Sequence, residues 1–274
     1  MSEHPADLDI RADLSARLDL AVAVAAEAGE LILRHYDDRD LAVETKRDNT
    51  PVTIADREAE QWIRDCVSRS WPEDGVLGEE LGETPGESGY RWILDPIDGT
   101  KSFVHHVPLF GTLIGLEFQG EMVAGVCRMP ALDEVVYGGV GLGAWWQAGA
   151  SEVRPARVSA VDSLERALFC TTTITGWKTT GHQAVFDRLC NASGMVRGWS
   201  DCYGHLLVAT GRADVMVDPE MNAWDAAALL PIMLEAGGHF VDLEGRSVID
   251  GGHGLSVNAG LRDEVLSVIS GEPG

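Results

Sequence analysis

Disulfide-compatible spacing is missing from this sequence. Its five cysteines, Cys66, Cys127, Cys170, Cys190 and Cys202, form no CxxC pair, and an odd, scattered count excludes a disulfide framework and predicts reduced thiols. Zinc ligands are missing too. His105 and His106 are adjacent and lack the helical spacing of a zinc pair, and no His-Glu-x-x-His occurs. Basic residues are few: 21 Lys and Arg face 44 Asp and Glu, a formal net charge of -23, which leaves no basic face for nucleic acid or an anionic membrane. No apolar run is long enough to cross a bilayer, and Met1-Ser2-Glu3-His4-Pro5 lacks the basic and apolar regions of a signal peptide. The expected setting is the cytoplasm.

What is there suits a soluble α/β protein. The 274 residues, 45% hydrophobic, can bury a sizeable core. Leu14, Leu18, Val22, Ala25, Gly29 and Leu33 recur at helical spacing, predicting a long amphipathic helix after a short acidic tail. Thr53-Ile54-Ala55-Asp56 has the form of a capped helix start, continued by Ala59, Trp62, Ile63, Cys66 and Val67. Residues 112–118, 122–127 and 135–139 read as an antiparallel meander. The adjacent Trp145 and Trp146 cannot both face one core if extended, so one is expected at a subunit interface. Residues 154–164 join a second half with strands at 167–170, 213–217 and 239–241, giving halves 1–153 and 154–274 in one compact unit. Pro231, inside the helix opened by Asp225, predicts a kink or a shortened helix.

Chemistry concentrates in Asp95-Pro96-Ile97-Asp98-Gly99-Thr100-Lys101, entered from the apolar Trp92-Ile93-Leu94. Two carboxylates three residues apart at the exit of a buried strand can hold a hard divalent cation, which prefers oxygen ligands at short distances. Pro96 stiffens the turn. Gly99 lets the backbone approach a ligand, and a helix opening at Gly99 and Thr100 would point N–H groups at phosphate oxygens. The same residues also make an ordinary turn. Two further acidic positions weigh against that: Glu79 in Gly78-Glu79-Glu80, after the apolar Gly75-Val76-Leu77, and Asp225 in Trp224-Asp225-Ala226-Ala227-Ala228. Taken singly, Glu79 reads equally as a solvated charge and Asp225 as an N-cap.

In this order, Gly-Glu-Glu, Asp-Pro-Ile-Asp-Gly-Thr and Trp-Asp-Ala-Ala resemble the motifs of the inositol monophosphatase family of magnesium-dependent phosphatases, with every metal position intact. The resemblance runs from the first helix to Gly254-Leu255-Ser256-Val257-Asn258-Ala259. It implies a layered α/β fold, an αβαβα sandwich, with the motifs meeting in a cleft between the halves. It implies two or three magnesium ions on Glu79, Asp95, the Ile97 carbonyl, Asp98 and Asp225, and phosphate on the N–H groups of Gly99 and Thr100. Asp56, Thr100 and Glu79 are the implied catalytic residues; Asp56, whose charge also suits a helix N-terminus, would pair with Thr100 to deprotonate the attacking water. A homodimer is the family's common assembly.

Within the family, the stretch from Asp201-Cys202-Tyr203 to Ala209-Thr210-Gly211 resembles the histidinol-phosphatase branch, with Asp201 where inositol phosphatases carry a small residue. Lys101-Ser102-Phe103 agrees, although phosphoadenosine-phosphate phosphatases share the lysine. The implied substrate is a small phosphate ester with a cationic amine and an imidazole. Asp201 and Asp218 are candidates to meet the amine, with plainer readings as surface or turn charges, and Arg197 to meet the phosphate or only an acidic neighbour. A charge pair at about 4 Å in a partly shielded cleft is worth at most about 4 kcal/mol before desolvation. Inositol 1-phosphate or a nucleotide phosphate is the second reading. A non-catalytic phosphate- or partner-binding regulator is the third, against which intact Glu79, Asp95, Asp98, Thr100 and Asp225 weigh. The polar loop 37–52, just before Asp56, is the expected mobile segment.

Overall fold

The computed structural model describes residues 5–38, 43–45 and 51–271; most of the loop 37–52 lies outside them. The first half runs α1 (Pro5–Tyr36), β1 (Val43–Thr45), β2 (Pro51–Thr53), α2 (Ile54–Ser70), β3 (Gly75–Gly78), β4 (Gly82–Thr84), β5 (Tyr90–Asp98), α3 (Thr100–Val104), β6 (Gly111–Phe118), β7 (Glu121–Met129), β8 (Glu134–Gly139), β9 (Gly143–Ala148) and β10 (Arg154–Pro155). The second runs β11 (Leu168–Thr171), α4 (Gly176–Thr179), α5 (Gln183–Ala192), β12 (Met195–Arg197), α6 (Asp201–Ala209), β13 (Val215–Asp218), α7 (Ala223–Ala227), α8 (Leu229–Glu235), β14 (Gly238–Val241), β15 (Gly254–Asn258) and α9 (Arg262–Ser270). The division expected after residue 153 falls just before β10, which pairs with β9 and so belongs to the first sheet.

Five layers result. The outer helices α1 and α2 place Leu18, Ala25, Ile32 and Ile63 on Trp92, Leu94, Ile114 and Val126 of an eight-stranded sheet, ordered β10-β9-β8-β7-β6-β5-β3-β4. On its other face, α6 and α8 bring Leu206, Ala228, Ile232 and Met233 between Leu113, Cys127 and Val136 of that sheet and Met216 and Phe240 of a second. The second sheet has five strands, ordered β12-β11-β13-β15-β14, and α5 and α9 close it with Leu189, Val265 and Ile269 on Phe169, Val215 and Val257. This is the αβαβα sandwich that the motif resemblance implied.

Local chemistry explains the elements that matter for the site. Helix α2 starts where Thr53 caps it: the Ala55 N–H donates to Oγ1 of Thr53 at 3.1 Å, and Asp56 reaches back to the Thr53 N–H at 2.8 Å. In α1 the buried stripe is Leu14, Leu18, Ala21, Val24, Ala25, Ala28 and Ile32, while the expected Val22 and Leu33 stand only half-buried at its edge. The helix also begins at Pro5, so the expected acidic tail is helical; proline suits a first helical turn. Helices α7 and α8 part at Ala228 because Pro231 has no N–H for the Ala227 carbonyl. This pair lies on the sheet at backbone distance: a Cβ on Gly125 would stand 2.1 Å from the Ala228 carbonyl oxygen, and one on Gly115 2.6 Å from the Ala227 Cβ.

Trp145 and Trp146 point to opposite sides of β9, and both are half-buried. Trp145 donates its indole N–H to the Leu142 carbonyl at 3.0 Å and Trp146 to Glu134 at 2.6 Å. The Trp146 ring also lies between the guanidinium groups of Arg154 and Arg212, 3.9 and 4.5 Å from its centroid. Both indoles are thus satisfied within one subunit. All five cysteines are free thiols, and among the described residues no helix is long and apolar enough to cross a membrane.

Candidate active site

Asp95 and Asp98 are an odd number of residues apart on one strand, so an unbroken pleat would aim them at opposite faces of the sheet. A bulge removes that conflict. Asp95 pairs with Leu113 and Asp98 with Gly111, three steps on β5 against two on β6, and the extra residue turns both carboxylates to one side. Pro96 tolerates this position because a bulge leaves its missing N–H uncalled for. Asp225 comes from the other half as the third residue of α7, where its carboxylate accepts the Asn222 N–H at 2.7 Å. The expected N-cap role therefore belongs to Asn222. Ligand atoms of Asp95, Asp98 and Asp225 all lie within 4.8 Å of one another.

Three carboxylates at this spacing resist ionising together. Burial and then the charges of Glu79, Asp98 and Asp225 raise Asp95 well above the ordinary carboxylate range. Loss of solvent, then Asp201 and Asp225, do the same to Asp98. Asp225 is pushed up to about 6, first by desolvation. The Oδ1 of Asp95 is buried without a hydrogen-bond partner. An orphaned carboxylate oxygen inside an all-oxygen donor set fits a hard divalent cation and does not fit a thiolate-seeking one. Glu79, half-buried just past β3, contributes its charge to Asp56, Asp95 and Asp225.

Gly99 stands at φ +79 as the cap of α3, a conformation that suits glycine, and a Cβ there would meet the Leu109 carbonyl at 2.9 Å and the Asp201 carboxylate at 3.1 Å. Thr100 donates its hydroxyl to the Ile97 carbonyl at 3.0 Å. No hydrogen bond joins Thr100 to Asp56 among the described residues, contrary to the expected pairing. The reason lies in the cap: the Oδ2 of Asp56 takes both the N–H and, at 2.7 Å, the hydroxyl of Thr53. Burial nevertheless raises Asp56, the Thr53 bonds partly offset that, and the charge of Glu79 adds to it.

The second half supplies Asp201 but not all of its companions. Asp201 opens α6 at φ +55, its N–H donating to the Thr172 hydroxyl at 2.8 Å. Desolvation, then Asp218, push it up to about 7, against the pull of Lys101. Asp218, the other candidate for the amine, is engaged within the fold. Only 6% exposed, it accepts the Thr172 N–H at 3.2 Å on one oxygen and faces His205 Nε2 at 3.3 Å on the other. His205 is buried, with Nδ1 2.7 Å from the Ser256 hydroxyl. Arg197 departs from its expected place: exposed on β12, it donates to the Val196 carbonyl at 2.7 Å and makes no bond to the acidic cluster among the described residues. The sequence reading also missed the Cys202 N–H, which donates to Asp98, and Trp199, exposed two residues before Asp201.

A family profile described as the inositol monophosphatase family matches residues 13–267. A histidinol-phosphatase of Chlorobaculum parvum is 45% identical over 92% of this chain and 96% of its own length. An inositol-1-monophosphatase of Mesorhizobium japonicum is 35% identical over 93% of this chain and 96% of its own. The crystal structure of the extragenic suppressor protein suhB from Bartonella henselae superposes with a TM-score of 0.84 at 31% identity, covering 94% of this chain and all of that one. Because the matched span takes in Glu79, Asp95, Asp98 and Asp225 together with both sheets, this chain belongs to the inositol monophosphatase family.

Proposed function

We propose that this protein hydrolyses L-histidinol phosphate to L-histidinol and phosphate, with magnesium held by Glu79, Asp95, the Ile97 carbonyl, Asp98 and Asp225. The observation that carries the substrate is Asp201: an acidic side chain set against Gly99 at the edge of the metal cluster, where a cationic arm of the ester would find it. The relationship to a 45%-identical histidinol-phosphatase supports the same substrate.

When bound, two or three magnesium ions would neutralise phosphoryl charge and acidify the attacking water. The N–H groups of Gly99 and Thr100 hold the phosphate. Thr100 gives its own proton to the Ile97 carbonyl, so its oxygen presents lone pairs and acts as an acceptor that orients the water; Glu79 and Asp56 complete the acidic side that receives the proton. Asp201 pairs with the substrate amine, which drives its carboxyl to ionise. Asp218 lies behind Asp201 and fixes Thr172, and Trp199 offers an exposed ring for the imidazole. The free thiols agree with a cytoplasmic setting, and a homodimer is the assembly we infer from the family.

The test is magnesium-dependent phosphate release from L-histidinol phosphate, inositol 1-phosphate and phosphoadenosine phosphate side by side, with Asp95→Asn as the blank. Preference for the first, lost in the blank, is expected. Preference for inositol 1-phosphate keeps the metal chemistry and overturns the substrate; silence on all three overturns the enzyme reading.

A further inference from the structure

Glu60 and Arg64 stand one turn apart on α2, 0% and 9% exposed, with the Arg64 Nε donating to Oε1 of Glu60 at 2.8 Å. Neither belongs to the metal motifs. Glu60 nonetheless receives the backbone just beyond Glu79: its Oε2 accepts the Glu80 N–H at 2.8 Å and its Oε1 the Leu81 N–H at 3.2 Å. Arg64 continues to the Thr84 hydroxyl at 3.1 Å and to the Gly82 carbonyl. One ion pair on α2 therefore grips the turn between β3 and β4 at four points.

Gly78 shows how tightly this is built. A Cβ on Gly78 would stand 1.9 Å from Oε1 of Glu60, so the glycine of Gly-Glu-Glu, at the end of β3, leaves room for a carboxylate from α2. A buried carboxylate that accepts two neighbouring N–H groups and pairs with an arginine has its charge compensated, and such a group acts as a fixed anchor. The anchored turn carries Glu79, whose charge reaches Asp56, Asp95 and Asp225.

We propose that Glu60 is the positioning residue for Glu79: it sets the path of residues 78–81 so that the Glu79 carboxylate faces Asp95 and Asp225. This rests on the reading of Glu79 as a magnesium ligand. Glu60 holds backbone, not metal, so its loss leaves the ligand set complete and misdirects one member. An outer partner of a metal ligand typically contributes 10- to 100-fold in metal affinity or activity.

Glu60→Gln tests this, since an amide turns a donor toward an N–H group or toward Arg64. Calorimetric titration of the full-length protein with magnesium chloride alone should show affinity at least about tenfold weaker than wild type, with kcat for phosphate release at saturating magnesium changed less than the magnesium requirement. Glu60→Asp, which withdraws the carboxylate by one methylene, should weaken binding in the same direction by less, and it is the variant to read if Glu60→Gln does not fold. A purely structural role would lower the metal-free unfolding midpoint and leave magnesium affinity at the wild-type value; that result in either folded variant overturns the proposal. Wild-type protein that takes up no magnesium would instead sink the metal reading on which the proposal stands.

Discussion

The backbone N–H of Cys202 stands 2.6 Å from the Oδ2 of Asp98. This bond ties the first turn of α6 to one carboxylate of the acidic cluster, and it depends on the residue before it. Asp201 sits at φ +55, where most side chains are strained but Asp and Asn are tolerated. The left-handed turn aims the next N–H at Asp98 and leaves the Asp201 carboxylate over Gly99.

Asp201→Asn should keep this turn and remove the charge. We expect kcat/KM for L-histidinol phosphate to fall roughly 10- to 100-fold, inside the limit of about 4 kcal/mol for a charge pair at about 4 Å, with activity on a neutral ester little changed. Parallel steady-state kinetics on both esters check it. Equal losses on the two would mean that Asp201 serves the metal cluster and not the amine.

Asp95→Asn should abolish magnesium-dependent activity and yet stabilise the metal-free protein at pH 8. It removes a buried carboxylate crowded by Glu79, Asp98 and Asp225. The gain expected is roughly 2–4 °C in Tm, the scale of about 1 kcal/mol in a chain of this size. Differential scanning calorimetry in a chelator reads it, and a lower Tm than wild type would contradict the account of repulsion.

The pH dependence of metal-free stability has a definite sign. Asp225 and Asp201, at about 6 and about 7, are raised from an ordinary 3.8. Between those values the folded chain keeps protons that the unfolded chain has released, so the contribution of these groups is full below pH 4 and is lost as pH rises through 6 to 7. Magnesium, which needs the ionised forms, should stabilise more as pH rises over the same window. Melting curves at pH 5 to 8 with and without magnesium measure both trends. A metal-free Tm that climbs steadily from pH 5 to 8 would contradict the assignment.

Gly125→Ala should damage the site from a distance. The new methyl has a backbone carbonyl 2.1 Å away and no flexible neighbour to displace, so α8 and, with it, the Asp225 turn must move. The expected loss is about 3 kcal/mol of stability, at the upper end for overpacked cores, with weakened magnesium binding in whatever folds. Denaturant unfolding and magnesium titration test it together.

The carboxylates of the acidic cluster were legible because acidic residues beside Gly and Pro at strand ends leave a mark in the sequence itself. Their geometry left less of one. The bulge that puts Asp95 and Asp98 on one side is a matter of pairing with Leu113 and Gly111, a partner the local pattern does not name. Strand β15 shows no apolar alternation because all five of its residues are buried. Asp218 and Asp56 carry neighbours that the site reading did not name, His205 and the Thr53 hydroxyl, both within hydrogen-bond reach of their oxygens. Glu60, between Ala59 and Gln61, carries no local signal of its own; its meaning appears only with the turn that it holds.

The seating of α7 and α8 against β6 and β7 has one last consequence. With the carbonyl of Ala228 where a side chain of Gly125 would begin, the helix pair and the eight-stranded sheet have no lubricating layer of long side chains between them at this point and cannot slide past one another. The distance from Asp225 to Asp95 is then a property of the masonry, the same before a substrate arrives and after it leaves, and entry and exit fall to the rim of the cleft.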